Sequence, residues 1–590
     1  MLNILALIVF FILLFALIYV FGEYIAWIYQ DETKSKSKLP KKLKFFKKLD
    51  RPFKLIEEKT FSFLNIEPDK EMNWKQYLFS LLIFNGILFA FLFLVFKFQN
   101  ILPLNPLNLD GMSWDQAFHT ASTFVSNTNQ QHYGGETLSY FSQLFAVGLA
   151  MFLSAGTGLA LAPAFTRGIQ NEEESKLGNF YVNLIKGLIR FLLPVSFIVG
   201  LILISQGSPQ WFGGEIVVNT IEGVKQAIRV GPVAGIEAIK TLGTNGGGYF
   251  AANAAHPFEN PTILANIVLN LIMLASPMAI IYAFGIWIGK RRHGVILIGA
   301  LFVIFLGLFW VTAAGEAQPN RAIIMNETNL TVDQSAGNME GKETRFGSLL
   351  SSLWAISTTS TTNGAVNSMH NSYTPQGSVG PFLAMAMNCL YNGIGVGLLN
   401  LMTYIFICVF IAGLMIGRAP QYLGKQIEWR EVKIAALIIL LLPVLVLFPT
   451  SIAVITEAGK EAIHNPGFTG FSEVLYEMFS AGANNGSGME GLMDNSVFYN
   501  LLNGGAILMG RYLPIFGQLL IAGNLSKKKI RPETEGTLKV ENLSFLVLFV
   551  GVMIIIGGLI LALRYLVWVT RMSYININGN MEFKYSLKLA

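Results

Sequence analysis

Thr241-Leu-Gly-Thr-Asn-Gly-Gly-Gly-Tyr249 offers little side chain to pack and much backbone to expose. A loop of that kind recurs. Lining up Ser126-Asn127-Thr128, Thr244-Asn245-Gly246, Thr362-Asn363-Gly364 and Asn484-Asn485-Gly486 puts an Asn at 127, 245, 363 and 485, at intervals of 118, 118 and 122 residues. Each loop follows a short amphipathic run and lies between two long apolar segments. A period held this closely marks an internal fourfold repeat, and four copies are poorly explained as ordinary Asn-Gly turns.

The chain has 590 residues, 53% of them hydrophobic and 13% charged, with a mean hydropathy of +0.51. A soluble domain carries about 25% charged residues. Half that charge, with apolar runs beyond about 18 residues, predicts an all-α polytopic membrane protein, so the repeats form one bundle and not four soluble domains. The net charge is +6, but the Lys and Arg fall in loops between spans, where topology accounts for them and a nucleic-acid partner is excluded. Cys389 and Cys408 sit in an apolar segment, as small core residues and not as a disulfide or metal framework.

Residues Leu2 to Trp27 predict an extra N-terminal transmembrane helix (1–29), with no basic residue ahead of it to mark a signal peptide. The lysine-dense linker that follows (30–75) is placed in the cytoplasm by the positive-inside rule, which puts the N-terminus outside. Four helix, re-entrant loop, helix repeats come next, at 76–165, 180–290, 294–418 and 432–525. Their loop helices are predicted at Trp114 to Phe124, Val233 to Leu242, Leu349 to Ser357 and Phe471 to Phe479. A C-terminal helix (541–570), running from Leu543 to Val569, brings the count to ten spans with both termini outside.

The return segment of the third repeat, Pro381 to Arg418, is too long for a simple helix. Roughly 37 residues at about 1.5 Å each make about 55 Å, against a hydrocarbon core of about 30 Å. Its middle holds Asn392-Gly393-Ile394-Gly395-Val396-Gly397, and glycine inside a helix costs about 1 kcal/mol per residue. The reading is a break there, with Asn392, Gly393, Gly395 and Gly397 forming a gating loop beneath the filter; a kinked or tilted long helix is the alternative. Arg511 lies within the fourth return helix, where a cation costs about 3 kcal/mol or more unless it faces water or a partner. It is either an electrostatic barrier below the filter or a structural group in a salt bridge or interhelical hydrogen bond. His119, His132, His256, His370 and His464 lack metal-ligand spacing and are expected to be solvated or capping residues. Asn326 heads a glycosylation sequon that matters only in a secretory eukaryotic setting.

A re-entrant loop must satisfy every N–H and C=O, at several kcal/mol for each failure. Aiming carbonyls at a cation in place of its hydration shell is the economical solution. The proposed filter comprises Val125, Ser126, Asn127 and Thr128; Gly243, Thr244, Asn245 and Gly246; Thr361, Thr362, Asn363 and Gly364; and Ala483, Asn484, Asn485 and Gly486. These segments carry no charge, which favours a large monovalent ion, above all potassium, over a divalent one. The loop helices point their C-terminal carbonyl ends toward the same centre. No Gly-x-x-x-x-Gly-Lys-Ser/Thr motif accompanies the glycines, so nucleotide binding is not expected.

This repeat resembles the superfamily of potassium transporters built from four helix-loop-helix units. Within it the chain looks like the potassium-transporting A subunit of the Kdp-type ATPase over nearly all its length. The residues that carry the likeness are Ser126-Asn-Thr-Asn129, Gly243-Thr-Asn-Gly-Gly-Gly248, Asn253-Ala-Ala-His-Pro-Phe-Glu-Asn-Pro261, Gly337-Asn-Met-Glu-Gly-Lys-Glu-Thr-Arg-Phe-Gly347, Asn363-Gly-Ala-Val-Asn367 and Ser480-Ala-Gly-Ala-Asn-Asn-Gly-Ser-Gly488. The resemblance implies a chain that admits K+ from outside but hydrolyses no ATP, a partner P-type ATPase subunit, two small partner subunits, and a bacterial plasma-membrane location. It further implies a tunnel toward the ATPase subunit, with Gln131 just outside the filter and Arg511 below it. Asn388 departs from the family, which often has an acidic residue there, and the basic linker suggests contact with anionic lipid. The competing function is a stand-alone channel or symporter gated by a cytosolic regulatory ring.

Overall fold

The computed structural model describes residues 2–30, 33, 40, 46–48, 50–320, 333–388, 390–417, 420–465, 467–532 and 539–558. Residues 31–32, 34–39, 41–45 and 49 of the lysine-rich linker, Asn326, Cys389 and the final span beyond Gly558 lie outside them. Among the described residues, nine helices are long and apolar enough to cross a membrane, and a shorter apolar helix, Leu543–Gly558, follows.

Each repeat has a first membrane helix, a short pore helix and a return helix. The first consists of Trp74–Lys97, Trp114–Val125 and Ser142–Gln170. The second consists of Phe180–Gln206, Val233–Leu242 and Ile263–Trp287. Arg291–Glu316 and Gly347–Ser360 open the third, whose return is split into Pro375–Met387 and Val396–Ile416. The fourth consists of Trp429–Ile455, Gly467–Gly482 and Val497–Ser526. Side chains just ahead of many helices fix where they start: Asn73, Ser113, Asn179, Thr262, Thr374 and Ser496 each accept hydrogen bonds from first-turn amides.

Three features depart from the sequence reading. The third return begins at Pro375, six residues before Pro381; its first half ends at Met387 and its second begins at Val396, so Gly397 is already helical. The first return opens with a π-helical stretch, Ser142–Gly148, and the first membrane helix of the second repeat contains another at Leu188–Leu192; such widened turns leave no periodicity signal to read. The second outer loop carries a hairpin, Glu215–Asn219 paired with Lys225–Arg229, whose turn holds Gly223 at φ 79°.

The extra helix Leu2–Ile28 lies along Ile263–Trp287 and is held by charge as well as packing. Glu23 pairs with Arg291 at 2.6 Å, and a β-carbon at Gly22 would meet Tyr282. The amphipathic helix Asp50–Phe63 is fastened to the π turn of the second repeat, where Arg190 takes Glu57 at 2.5 Å and Asp50 at 2.8 Å.

In the third outer loop, buried Glu316 pairs with Lys342 at 2.6 Å, accepts from Asn338 at 2.8 Å and accepts from the Thr374 amide and hydroxyl, both at 2.8 Å. Removing one member of a buried pair strands the other charge, at about 3–5 kcal/mol. Glu316→Ala is expected to lower the thermal unfolding midpoint of the detergent-purified protein sharply. The double variant Glu316→Leu/Lys342→Met should lose clearly less, and equal losses would show that pairing is not what the site supplies.

Candidate cation-binding site

All four pore helices end in the same backbone pattern. Two residues past each helix stands a residue with left-handed φ: Asn127 (65°), Thr244 (49°), Thr362 (48°) and Asn484 (56°). The next residue donates its amide to a carbonyl five positions back: Thr128 to Thr123 at 3.0 Å, Asn245 to Lys240 at 2.9 Å, Asn363 to Thr358 at 2.9 Å, and Asn485 to Ser480 at 2.8 Å. A second left-handed residue follows, Asn129 (51°), Gly246 (101°), Gly364 (88°) or Gly486 (104°). This alternation turns successive carbonyls without closing further helical bonds.

The pattern corrects the alignment of the first loop by one residue. Thr128, not Asn127, matches Asn245, Asn363 and Asn485. Val125 is therefore the last residue of its pore helix, and Asn129 takes the place that glycine holds in the other loops. Composition concealed this, because Asn tolerates left-handed φ well enough to stand in for glycine.

The loops meet in cyclic order. A β-carbon on Gly246 would collide with the carbonyl oxygen of Asn363, one on Gly364 with that of Asn485, and one on Gly486 with that of Thr128. Side chains lock each junction. Asn127 donates to the Gly243 and Thr244 carbonyls at 3.1 and 2.9 Å, and Gln131 exchanges two bonds with the Gly248 backbone at 3.1 and 2.8 Å. Asn363 donates to the Lys240 carbonyl at 3.1 Å, Asn485 to that of Thr358 at 2.9 Å, and Asn484 to the Thr128 hydroxyl at 3.0 Å. Val125, Ser126, Gly243, Thr361 and Ala483 are buried or tightly enclosed beside them.

Beneath the ring lies the break in the third return. The Ile394 amide donates to the Thr244 hydroxyl at 3.0 Å, the Thr362 hydroxyl donates to Asn392 at 3.1 Å, and the Asn392 amide donates to the Ser360 carbonyl at 2.7 Å. Gly395 has φ 80°, and its missing β-carbon leaves room for the Gly158 carbonyl. Asn388 ends the first half of the split helix with φ 43° and accepts twice from the Asn392 amide group, at 2.7 and 2.6 Å. It also lines a narrow cavity with Asn400, Thr403, Tyr404, Gly482 and Gly510.

Arg511 reaches this underside: a β-carbon on Gly158 would lie 3.3 Å from its Nη2 and would collide with the Ile394 carbonyl. It is buried, and among the described residues no carboxylate pairs with it. The geometry therefore does not support the salt-bridge reading.

The expectation of solvated histidines fails for three of them. His119, His132 and His370 are buried. His132 stacks on His119 with ring centroids 3.7 Å apart, and it faces Asn500 at 2.7 Å, Glu477 at 3.2 Å and Asp494 at 3.6 Å. Burial works against its imidazolium, but the Asp494 and Glu477 carboxylates outweigh that and push its pKa up to about 9. Glu477 also accepts from Gln130 at 2.5 Å and Asn503 at 2.7 Å, joining the first loop to the fourth pore helix. A second buried group, Lys240 with Glu237 and Glu259, backs the second loop. The sequence signal for both was charge inside amphipathic re-entrant helices, at Glu237, Lys240 and Glu477.

Comparison with known proteins agrees over most of the chain. The potassium transporter TrkH from Vibrio parahaemolyticus shares the fold, with a TM-score of 0.51 and 13% identity over 77% of this chain and 86% of that one. The potassium-transporting ATPase potassium-binding subunit of Halobacterium salinarum is 51% identical over 553 residues, covering 94% of this chain and 95% of the relative. The protein of the same description from Nostoc sp. is 44% identical over 512 residues, 87% of this chain and 90% of its own. A sequence profile for the potassium-transporting ATPase A subunit matches residues 8–565, and the chain belongs to that family.

Proposed function

We propose that this chain selects K+ at the outer face and delivers it to the ATP-hydrolysing subunit of an uptake complex in the plasma membrane, with both of its own termini outside. The observation that carries the reading is the cyclic register of Thr128, Asn245, Asn363 and Asn485. Four backbone segments with matched dihedrals stand against one another, and their carbonyls replace the water of a monovalent cation. Gln131 sits at the outer edge of the ring through its bonds to Gly248.

K+ leaves the ring downward, where the loop 388–395 and Arg511 stand in its way. Arg511 carries a fixed positive charge that the ion must pass, and the loop acts as a gate hung on the second and third filter segments. The cavity beside Asn388 is the lateral route toward the ATPase subunit, and its amide lining supplies oxygen ligands without trapping the ion as a carboxylate would. Two small subunits complete the complex, anionic lipid meets the basic linker, and the chain itself hydrolyses no ATP. The channel or symporter alternative gains no support from the relatives, both of which are described as ATPase subunits.

At Gly364, serine must adopt left-handed φ, at about 1–2 kcal/mol, and push on the Asn485 carbonyl. Gly364→Ser is expected to raise the half-saturating K+ concentration of the complex at least tenfold and to weaken discrimination against Rb+. Uptake assays that find both unchanged would remove the site from Gly364. Arg511→Gln should raise the passive, ATP-independent K+ flux of proteoliposomes severalfold while Arg511→Lys stays near the parent; equal leak in all three would leave the barrier without support.

A further inference from the structure

Three of the four pore helices carry a hydroxyl two residues before their ends, at Thr123, Thr358 and Ser480. Each accepts a backbone amide from the descending loop: Gln130 to Thr123 at 2.6 Å, Gly364 to Thr358 at 2.9 Å, and Gly486 to Ser480 at 2.8 Å. The hydroxyl thereby closes the loop over its own helix end. The second repeat has Lys240 in that place. An ammonium group has three donors and no acceptor, so the same closure is impossible.

Another device takes its place. Lys240 is fully buried and pairs with Glu237, one turn back on the pore helix, and with Glu259 at 2.7 Å. The other oxygen of Glu259 accepts the Phe250 amide at 2.8 Å. The Lys240–Glu259 bridge therefore spans the loop from the pore helix to Phe250, two residues past Gly246, Gly247 and Gly248, the stretch whose backbone has the widest conformational freedom. The Lys240 carbonyl also accepts from the Asn245 amide at 2.9 Å and from the Asn363 side chain at 3.1 Å, so its placement bears on two loops at once.

We propose that Lys240, held between Glu237 and Glu259, is a positioning residue that sets the K+ affinity and selectivity of the ring through the second loop, without touching the ion. The inference rests on the four-loop potassium site described above. The two carboxylates also cancel a positive charge that would otherwise repel a cation bound nearby. A hydroxyl on the pore helix closes the other three loops; the triple-glycine loop has an ionic brace in that place.

The test is K+- and Rb+-stimulated ATPase activity of the intact complex in lipid vesicles. Lys240→Met is expected to raise the half-saturating K+ concentration at least tenfold and to bring the Rb+-to-K+ ratio at least threefold closer to one, with the maximal rate within twofold of the parent. Glu259→Gln keeps an acceptor for Phe250 but loses the ionic brace, and should fall between. If Lys240→Met does not assemble, Glu259→Gln decides alone. Parent-like half-saturation and ion ratio in the assembled variants overturn the proposal, as does a fall in maximal rate with both quantities unchanged. If Gly364→Ser is equally silent the fault lies with the four-loop site; if Gly364→Ser shifts and the brace variants do not, only the present inference fails.

Discussion

A peptide group at membrane depth has no water to turn to, and leaving it unpaired costs several kcal/mol. Each filter loop leaves a helix end, where carbonyls are already orphaned. The amides of Thr128, Asn245, Asn363 and Asn485 reach back five residues and satisfy part of that need. The left-handed residues on either side then rotate the following carbonyls away from their own helix. Side-chain amides take up some of these oxygens, as Asn127 and Asn129 do for the Gly243, Thr244 and Gly246 carbonyls, and a cation is the other inexpensive partner for carbonyls that converge at one place.

The constraint also explains why no loop stands alone. A glycine in one loop makes room for the carbonyl of the next at Gly246, Gly364 and Gly486, and the Asn side chains bond across the same junctions. Symmetry is imposed by packing of the backbone and not by identity of side chains, so unlike sequences give like geometry. Where the first loop has Asn129 in place of glycine, its side chain donates to the Gly246 carbonyl at 3.3 Å and does the locking itself.

Much of this was legible. Apolar runs of membrane length, the period of the Asn-containing loops and the glycine-interrupted third return gave the helices, the pore helices and the break, because each depends on local composition. The one-residue offset of the first loop was not legible, since Asn127 and Asn129 both take left-handed φ and composition alone cannot say which answers to glycine. Nor were the buried networks around His132 and Lys240. Their partners, Glu477 and Asp494 in one case and Glu259 in the other, lie 345, 362 and 19 residues away, and only the folded chain brings them together. The π-helical turns at Ser142–Gly148 and Leu188–Leu192 likewise follow from what packs against them.

The single break among the four return helices falls where its cost is lowest. Unwinding between Met387 and Val396 frees amides and carbonyls that an intact helix would pair. Here the underside of the second and third loops supplies Thr244, Thr362 and Ser360, which take up three of the bonds. At about 1 kcal/mol net for each, displacing the segment costs about 3 kcal/mol before any change in packing. Because these bonds end on the Thr244 and Thr362 hydroxyls and the Ser360 carbonyl, the position of the broken segment and the shape of the loops above it are fixed together.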